Sequence, residues 1–578
     1  MERRLLLVFA LTFLVIVLFQ PILKKYLPQP PQPAPTQNQN LALPQPPSAS
    51  NPQVSQPTTT AVSEKTATRQ ASSESQTVIE NDLYRITFAN RGAQVTSWIL
   101  KKFDDDHGKP LEMVNNAAAQ RYGFPLSLWT YDENQRNKIN SVLYVCSGSP
   151  GIIKRIGEEW VTPPGSLTCE YADQDLSVRK VFRFDHTYVV QVETSVSFKG
   201  SPVTAFPMWP AGFGDQSSPA AYASGHIEYQ FNSTIERLAG KKISGGGTQQ
   251  GPFNWIAATD QYFSAVFIPD NPQDASAVAL RNSLEVPKDP QKPQDTTRVD
   301  VLGVAAGNMH GASVERIYVG PKELHTLEAV SVPTISGRDP NLRALINFGF
   351  FEVIARPLFV WLRWTYKYIH NWGWAIVLQT IIINLALLPL RVSSMKSALK
   401  MQRIQPQMNA IKEKYKKYSM RDPRRQEMNT EIGELMKREG VSPVGGCLPM
   451  LIQMPFLFAY YSMLGSALDL RHAHWLWIRD LSSRDPYYIL PIAIIITGLI
   501  TQRMTPQGGM DPSQQKMMNL MMPLMFGVIS FNLASGLCLY WVVGSVIAIV
   551  QQWIMNRTRL GQEMREMALK RARKREKK

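Results

Sequence analysis

Residues 371–440 read NWGWAIVLQTIIINLALLPLRVSSMKSALKMQRIQPQMNAIKEKYKKYSMRDPRRQEMNTEIGELMKREG, an apolar run followed directly by a basic one. Trp372 and Trp374 open an apolar run that continues to Leu390. Aromatic residues at the edge and aliphatic ones within are the pattern of a membrane span. The chain then turns basic: residues 391–440 hold 13 Lys/Arg against 6 Asp/Glu before a further apolar run begins near Cys447. A basic segment closed between two apolar runs belongs on the cytosolic side of a bilayer, where Lys and Arg are retained.

The same sign recurs after the last apolar run, where residues 556–578 hold 10 basic residues against 3 acidic ones. These two segments carry +14 of the formal +16 of the 578-residue chain, whereas residues 21–340 hold 28 basic and 31 acidic residues. The basic character is therefore local, and it implies no specific DNA partner. Four cysteines do not make a disulfide framework. Cys447 and Cys538 fall in apolar runs as small buried hydrophobes. Cys146 and Cys169 can pair if their segment lies outside the cytosol, provided the distance allows it.

Outward from the quoted stretch, spans are expected at residues 372–391, 445–468, 487–503, 517–533 and 536–555. A sixth, at residues 1–23, is expected as an uncleaved anchor, because Phe19-Gln20-Pro21-Ile22-Leu23 offers no small-x-small cleavage site. Residues 24–77, rich in Pro, Gln, Ser and Thr, make a disordered tether. Residues 78–340 switch to period-2 alternation, as in Leu83-Tyr84-Arg85-Ile86-Thr87-Phe88 and Val181-Phe182-Arg183-Phe184. That density of strand signals predicts a large antiparallel β-sandwich. Ser244-Gly245-Gly246-Gly247 is expected as a flexible loop without the Lys-Ser/Thr ending of a phosphate-binding loop. Residues 341–371 mix aromatics with Arg356, Arg363 and Lys367, which suits an amphipathic helix lying in the interface. With both basic segments in the cytosol, the N- and C-termini lie inside and the β-domain outside.

Residues 392–440 carry Ile404, Met408, Ile411, Tyr415 and Tyr418 at 4-3-4-3 spacing, then Met428, Ile432 and Leu435 at 4-3. This predicts a helical hairpin with an apolar seam and a basic outside. A bare connector between helices needs only about 2–8 residues. No hydrolytic or nucleotide-binding motif is present, no cofactor is implied, and His472-Ala473-His474 lacks the further ligands of a zinc site. Inside the spans or at their ends sit Gln379, Thr380, Asn384, Gln453, Thr497, Gln502 and Asn532. Uncharged polar groups there either pair between helices or face a shared hydrated recess, and both readings stay open. Met517, Met518, Met521, Met522 and Met525 form a stripe expected as core rather than as a recognition surface.

At these residues the chain resembles the Gram-negative YidC branch of the YidC/Oxa family of membrane protein insertases. The likeness rests on Gly445-Gly446-Cys447-Leu448-Pro449, Leu451-Ile452-Gln453-Met454-Pro455, Leu481-Ser482, Asp485-Pro486-Tyr487-Tyr488-Ile489-Leu490-Pro491, Ser535-Gly536-Leu537 and Gln551-Gln552. It implies a polytopic α-helical membrane protein with six spans and a five-helix insertase core, joined to a supersandwich-like periplasmic β-domain in the bacterial inner membrane. It also implies a groove open to cytosol and lipid, lined by Thr380 and Trp541, with Tyr540 beside the latter. The family carries a positive charge five positions before the proline of Pro389-Leu390. Here that position is Asn384, so either the groove is polar without being positive or Arg391 supplies the charge from its mouth. On this reading Asn384→Arg would be tolerated. The implied partners are nascent membrane proteins, the Sec translocon, and the ribosome or membrane lipid through Arg557, Arg559, Arg571, Arg573, Lys574 and Arg575. A small-solute transporter or channel is the rival reading. The absence of a duplicated half and of paired acid and base residues in the spans argues against it. A carbohydrate-binding role for the β-domain would rest on fold alone.

Overall fold

The structure, a computed structural model, describes residues 68–155, 158–232, 234–288, 293–330, 339–418, 422–440, 448–504, 512–558, 562 and 566. The expected anchor at residues 1–23, most of the tether, the first half of the turn expected at Met420-Arg421-Asp422-Pro423 and most of the basic tail lie outside the described residues.

Alternation becomes strand where the sequence carries it. Tyr84–Ala89 buries Tyr84, Ile86 and Phe88 in turn, and Leu176–Phe184 buries Val178, Lys180, Phe182 and Phe184. The strands form sheets of ten, six and five. Their inner faces close over Trp98, Trp209, Trp255 and Phe182, all fully buried. Among the described residues pairing is antiparallel apart from Gln76–Glu80 with Glu158–Val161, which run parallel. The first strand starts at Gln76, two residues ahead of the expected boundary. The Ser244-Gly245-Gly246-Gly247 segment is a tight turn rather than a slack loop. Gly246 takes φ +82° and the chain passes directly into strand Gly247–Gln250.

Two details fix this domain. Cys146 and Cys169 stand opposite one another in the ladder and are joined by a disulfide. Such bonds persist in oxidising compartments, in agreement with a domain outside the cytosol. Lys180 is fully buried, and its Nζ donates to the carbonyls of Gly92 (2.8 Å), Ala93 (3.0 Å) and Leu126 (3.0 Å). All three acceptors sit at left-handed backbone positions. Gly92 is obligatory there, because a Cβ would come within 2.4 Å of the Asn140 carbonyl oxygen.

Beyond the sandwich the chain is helical: α1 (Glu352–Ile369), α2 (Trp372–Ala386), α3 (Leu388–Lys414), α4 (Arg424–Arg438), α5 (Leu448–Ser466), α6 (Ile489–Met504), α7 (Pro512–Ser530) and α8 (Ser535–Arg557). Helix α1 buries Ala355, Leu358, Phe359, Leu362 and Thr365 on one side. Its other side presents Val353, Val360, Trp364 and Tyr368 to the surroundings, which suits a helix lying in an interface. Ile404, Met408, Ile432 and Leu435 pack together between α3 and α4, so the 4-3 positions do form a seam.

By length and hydropathy α8 is the one described helix able to cross a membrane unaided. Helix α2 continues into residues 388–394 across a 47° bend, and α6 and residues 519–530 of α7 are shorter apolar helices. The bend falls at Leu387, just ahead of Pro389. Proline lacks an N–H and its ring collides with the carbonyl four residues back. The span expected at residues 372–391 is therefore bent ahead of Arg391. Apolar side chains also face outward: Ile381, Ile382 and Leu385 on α2, Ile492, Ile496 and Ile500 on α6, and Val546, Val550 and Ile554 on α8. Surfaces of that kind mark contact with lipid or partners. Met521 and Met525 are exposed too, so this part of the methionine stripe is surface and not core.

Candidate functional site

The polar residues of the helical region are brought together unequally. On α2, Gln379, Thr380 and Asn384 are sealed, at 0%, 0% and 1% exposure. Gln379 Nε2 donates to the Leu358 carbonyl of α1 (2.9 Å), and its Oε1 accepts from the Tyr460 hydroxyl of α5. It ties three helices together, which is interhelical pairing and not a wet surface. Thr380 Oγ1 donates to Ile376 within its own helix, at 2.6 Å.

Asn384 is different. Its Nδ2 donates to the Thr380 carbonyl (2.8 Å), and its Oδ1 accepts from Arg391 Nη2 (3.0 Å). Arg391 lies seven residues further along the chain, beyond the bend, and its side chain reaches back to make this contact. Arg391 Nη1 also donates to Gln551 Oε1 of α8 (2.8 Å), and Gln551 Nε2 donates to the Asn384 carbonyl (3.3 Å). The guanidinium is thus held by two amides from two helices and remains half-buried. Gly544 of α8 faces the same pair. A Cβ there would stand 3.8 Å from Asn384 Nδ2 and 3.9 Å from Thr380 Cγ2.

A second group adjoins α5 and α8. Gln453 Nε2 donates to the Tyr540 hydroxyl (3.2 Å), and Tyr540 stacks on Tyr460 at 4.0 Å between ring centroids. Trp541 is half-buried against Phe526 of α7, at 5.1 Å. Thr497 Oγ1 donates within α6 to Ala493 (2.6 Å), and Asn532 lies in the turn between α7 and α8. Among the described residues no hydrogen bond joins Thr497 or Asn532 to the Asn384–Arg391–Gln551 group. Gln502 is half-buried near the end of α6. Of the basic tail, Arg557 is described, its guanidinium 3.7 Å from the Trp553 ring centre. Arg559, Arg571, Arg573, Lys574 and Arg575 lie outside the described residues.

The sequence reading missed Gln551 and Tyr460. Gln551 stood in the Gln551-Gln552 pair, a sign that a polar residue ends the last span. Tyr460 was hidden inside an aromatic-rich run of α5, where nothing local distinguishes a hydrogen-bonded hydroxyl from a packing ring.

A β-sandwich joined to outward-facing apolar helices, with a guanidinium fixed among them, defines an integral membrane protein with a large extramembrane domain. The family model described as "YidC periplasmic domain" matches residues 76–361, and that described as "60Kd inner membrane protein" matches residues 364–563. The membrane protein insertase YidC of Geobacter sulfurreducens is 32% identical over 82% of this chain and 85% of its own length. That of Geobacter metallireducens is 30% identical over 92% and 94%. The chain belongs to this family of YidC membrane protein insertases. Among solved structures, an active YidC insertase with its first transmembrane domain resolved aligns over 85% of this chain and 95% of its own, at 17% identity and a TM-score of 0.33. Membership rests on the family models and the sequence relatives, not on that superposition.

Proposed function

We propose that this protein inserts nascent membrane proteins into the bacterial inner membrane, alone or with the Sec translocon. On this reading a polar groove open to cytosol and lipid receives the client, and no covalent catalysis is involved. The observation that carries the reading is the guanidinium of Arg391, held by Asn384 and Gln551 among helices whose outer faces are apolar. An anchor has no need of a charge there. A charge at membrane depth is costly unless it faces water or a partner.

The residues divide into a floor and a mouth. Gln379, Thr380 and Asn384 form the sealed floor, in which Gln379 ties the helices together and Asn384 accepts from Arg391. Arg391, Gln453, Gln551 and Trp541 are half-buried and form the mouth. A translocated polar segment exchanges part of its hydration for these groups, so the barrier to leaving water is lowered in steps. The client's apolar segment then passes sideways along exposed aliphatic and methionine side chains, Met521 and Met525 among them.

The topology proposed is six spans, with both termini and the α3–α4 hairpin in the cytosol and the β-domain in the periplasm. The shortness of α6, whose 16 residues make about 24 Å, fits a locally thinned bilayer. Arg557 and the basic residues after it would meet ribosomal RNA or anionic headgroups. A small-solute transporter is the competing reading. Purified protein in liposomes, given a ribosome-stalled single-span client, separates the two. Insertion is expected as a protease-protected fragment that depends on the protein, and its absence would leave the insertase reading without support.

A further inference from the structure

A cavity of about 690 Å³ opens in the β-domain, a volume within the range of small-ligand sites. Three elements enclose it: strand Gln94–Asp104, the turn Asp185-His186-Thr187 joining Leu176–Phe184 to Val189–Phe198, and the helix Leu324–Ala329. Phe103, Phe184 and Tyr188 give it an aromatic wall. The turn is fixed by Asp185, whose Oδ1 accepts from the Thr187 N–H (2.7 Å) and hydroxyl (2.6 Å). It presents His186, which is exposed.

The charges around the cavity do not balance. Both of its lining carboxylates are engaged, Asp185 by Thr187, and Glu323 by Arg363 of α1 (3.4 Å) and the Thr326 hydroxyl (2.9 Å). Of the lining arginines, Arg316 is paired with Asp270, and Arg183 shares Glu193 with Arg179. Lys102, His186 and His325 also line the cavity and are exposed. Among the described residues their side chains have no ion pair or hydrogen bond. The cavity thus holds spare donors and spare positive charge. Two of its walls run to the helical region. Glu323 stands at the head of the helix Leu324–Ala329, and its partner Arg363 also meets Asp469 beyond α5 (3.9 Å). Phe103 packs edge-on against Phe263 at 5.7 Å, and that ring centre lies 5.6 Å from the Arg471 guanidinium between α5 and α6. The cavity is therefore on the side of the sandwich that adjoins α1, whose Trp364 and Tyr368 are exposed in the manner of a helix lying in an interface.

We propose that this cavity takes the phosphate-bearing headgroup of an anionic phospholipid, drawn from the leaflet on which α1 lies. A phosphodiester supplies the acceptor oxygens that Lys102, His186 and His325 lack, and hydrogen bonds to an ionised acceptor are the strong ones. Basic side chains beside a bilayer are drawn to anionic headgroups, and the adjoining surface presents them at high local density. The aromatic wall then receives the glycerol and the first acyl carbons. Free inorganic phosphate offers the same oxygens but has nothing to lay against that wall. The inference rests on the placement of α1 in the interface, not on insertase activity, and gives the β-domain no part in client insertion.

The test uses the full chain in lipid nanodiscs, in a background lacking Cys447 and Cys538, with bimane attached to Ala329→Cys. Ala329 lines the cavity, is exposed and contributes no donor. Raising the phosphatidylglycerol fraction of a phosphatidylcholine disc should shift the bimane emission to the blue, as the headgroup displaces water. Lys102→Glu should raise the fraction needed for half of that shift about fivefold. His325→Glu, at a second exposed position, should act in the same direction. A shift equal in pure phosphatidylcholine, or one that neither substitution moves, overturns the proposal. Inorganic phosphate added to phosphatidylcholine discs separates the two sources of the anion, and a full shift there assigns the cavity to free phosphate and overturns the lipid. A shift that needs a ribosome-stalled client assigns it to a peptide, with the same consequence. A disc exposes both leaflets, so the result does not depend on which side of the membrane the β-domain occupies. Client insertion is read separately and should be unchanged in Lys102→Glu.

Discussion

Arg391→Gln is expected to lower insertion of a client with an acidic translocated segment by about tenfold or more, equivalent to about 1.4 kcal/mol. Glutamine can still hydrogen-bond to Asn384 and Gln551, so the bundle should hold while the charge is lost. A unit charge near 4 Å from a carboxylate is worth at most about 4 kcal/mol at a surface-like dielectric. Partial exposure and salt reduce that, which is why a tenfold loss is the expectation. Asn384→Leu should cost less, about threefold, because Arg391 keeps its bond to Gln551. A neutral client should respond weakly to either change. The geometry also reverses one expectation. Asn384→Arg, tolerable on family resemblance, would set a second guanidinium at a sealed position whose Oδ1 now stands 3.0 Å from Arg391 Nη2. Like charges confined there repel, so this variant should insert poorly.

Lys180→Met is expected to destabilise the β-domain by about 3–5 kcal/mol, because it leaves three buried carbonyls without their donor. The fall should appear as a lower thermal midpoint of periplasmic-domain proteolysis in the full chain. Burial pushes the Lys180 amine down from its ordinary 10.5 to about 7. The unfolded chain keeps its proton up to the ordinary value, so between about pH 7 and 10.5 it binds one more proton than the folded chain. Stability contributed by this group therefore rises with pH across that window and is flat below it. Lys180→Met should abolish that slope, and an unchanged slope would assign it to another group.

Much of the plan was legible in the sequence because it depends on local patterns. Alternation in Tyr84–Ala89 and Leu176–Phe184 marked strands, and Trp372 with the aliphatics after it marked α2. The 4-3 spacing marked the α3–α4 seam. Lys180 was not read from the sequence: it shares the period-2 face of Val178 and Phe182, but a charged residue is not expected on an inward face. The groove was harder to read. That Arg391 is held between Asn384 and Gln551 depends on a helix that arrives 160 residues later in the chain. The sealing of Gln379 depends on Tyr460 and on the Leu358 carbonyl, and no spacing along α2 distinguishes it from Asn384.

Clients are expected to pass through the half-buried mouth beside Arg391. The most direct test is a photo-crosslinking amino acid placed in turn at Gln453, Trp541 and Val353, with a ribosome-stalled client presented to each. Val353 is 87% exposed on α1 and lies on its outward side, away from the proposed path. Strong adducts to the client's hydrophilic segment are expected from Gln453 and Trp541, and weak ones from Val353. Equal adducts from all three positions, or adducts from Val353 alone, would contradict the claim.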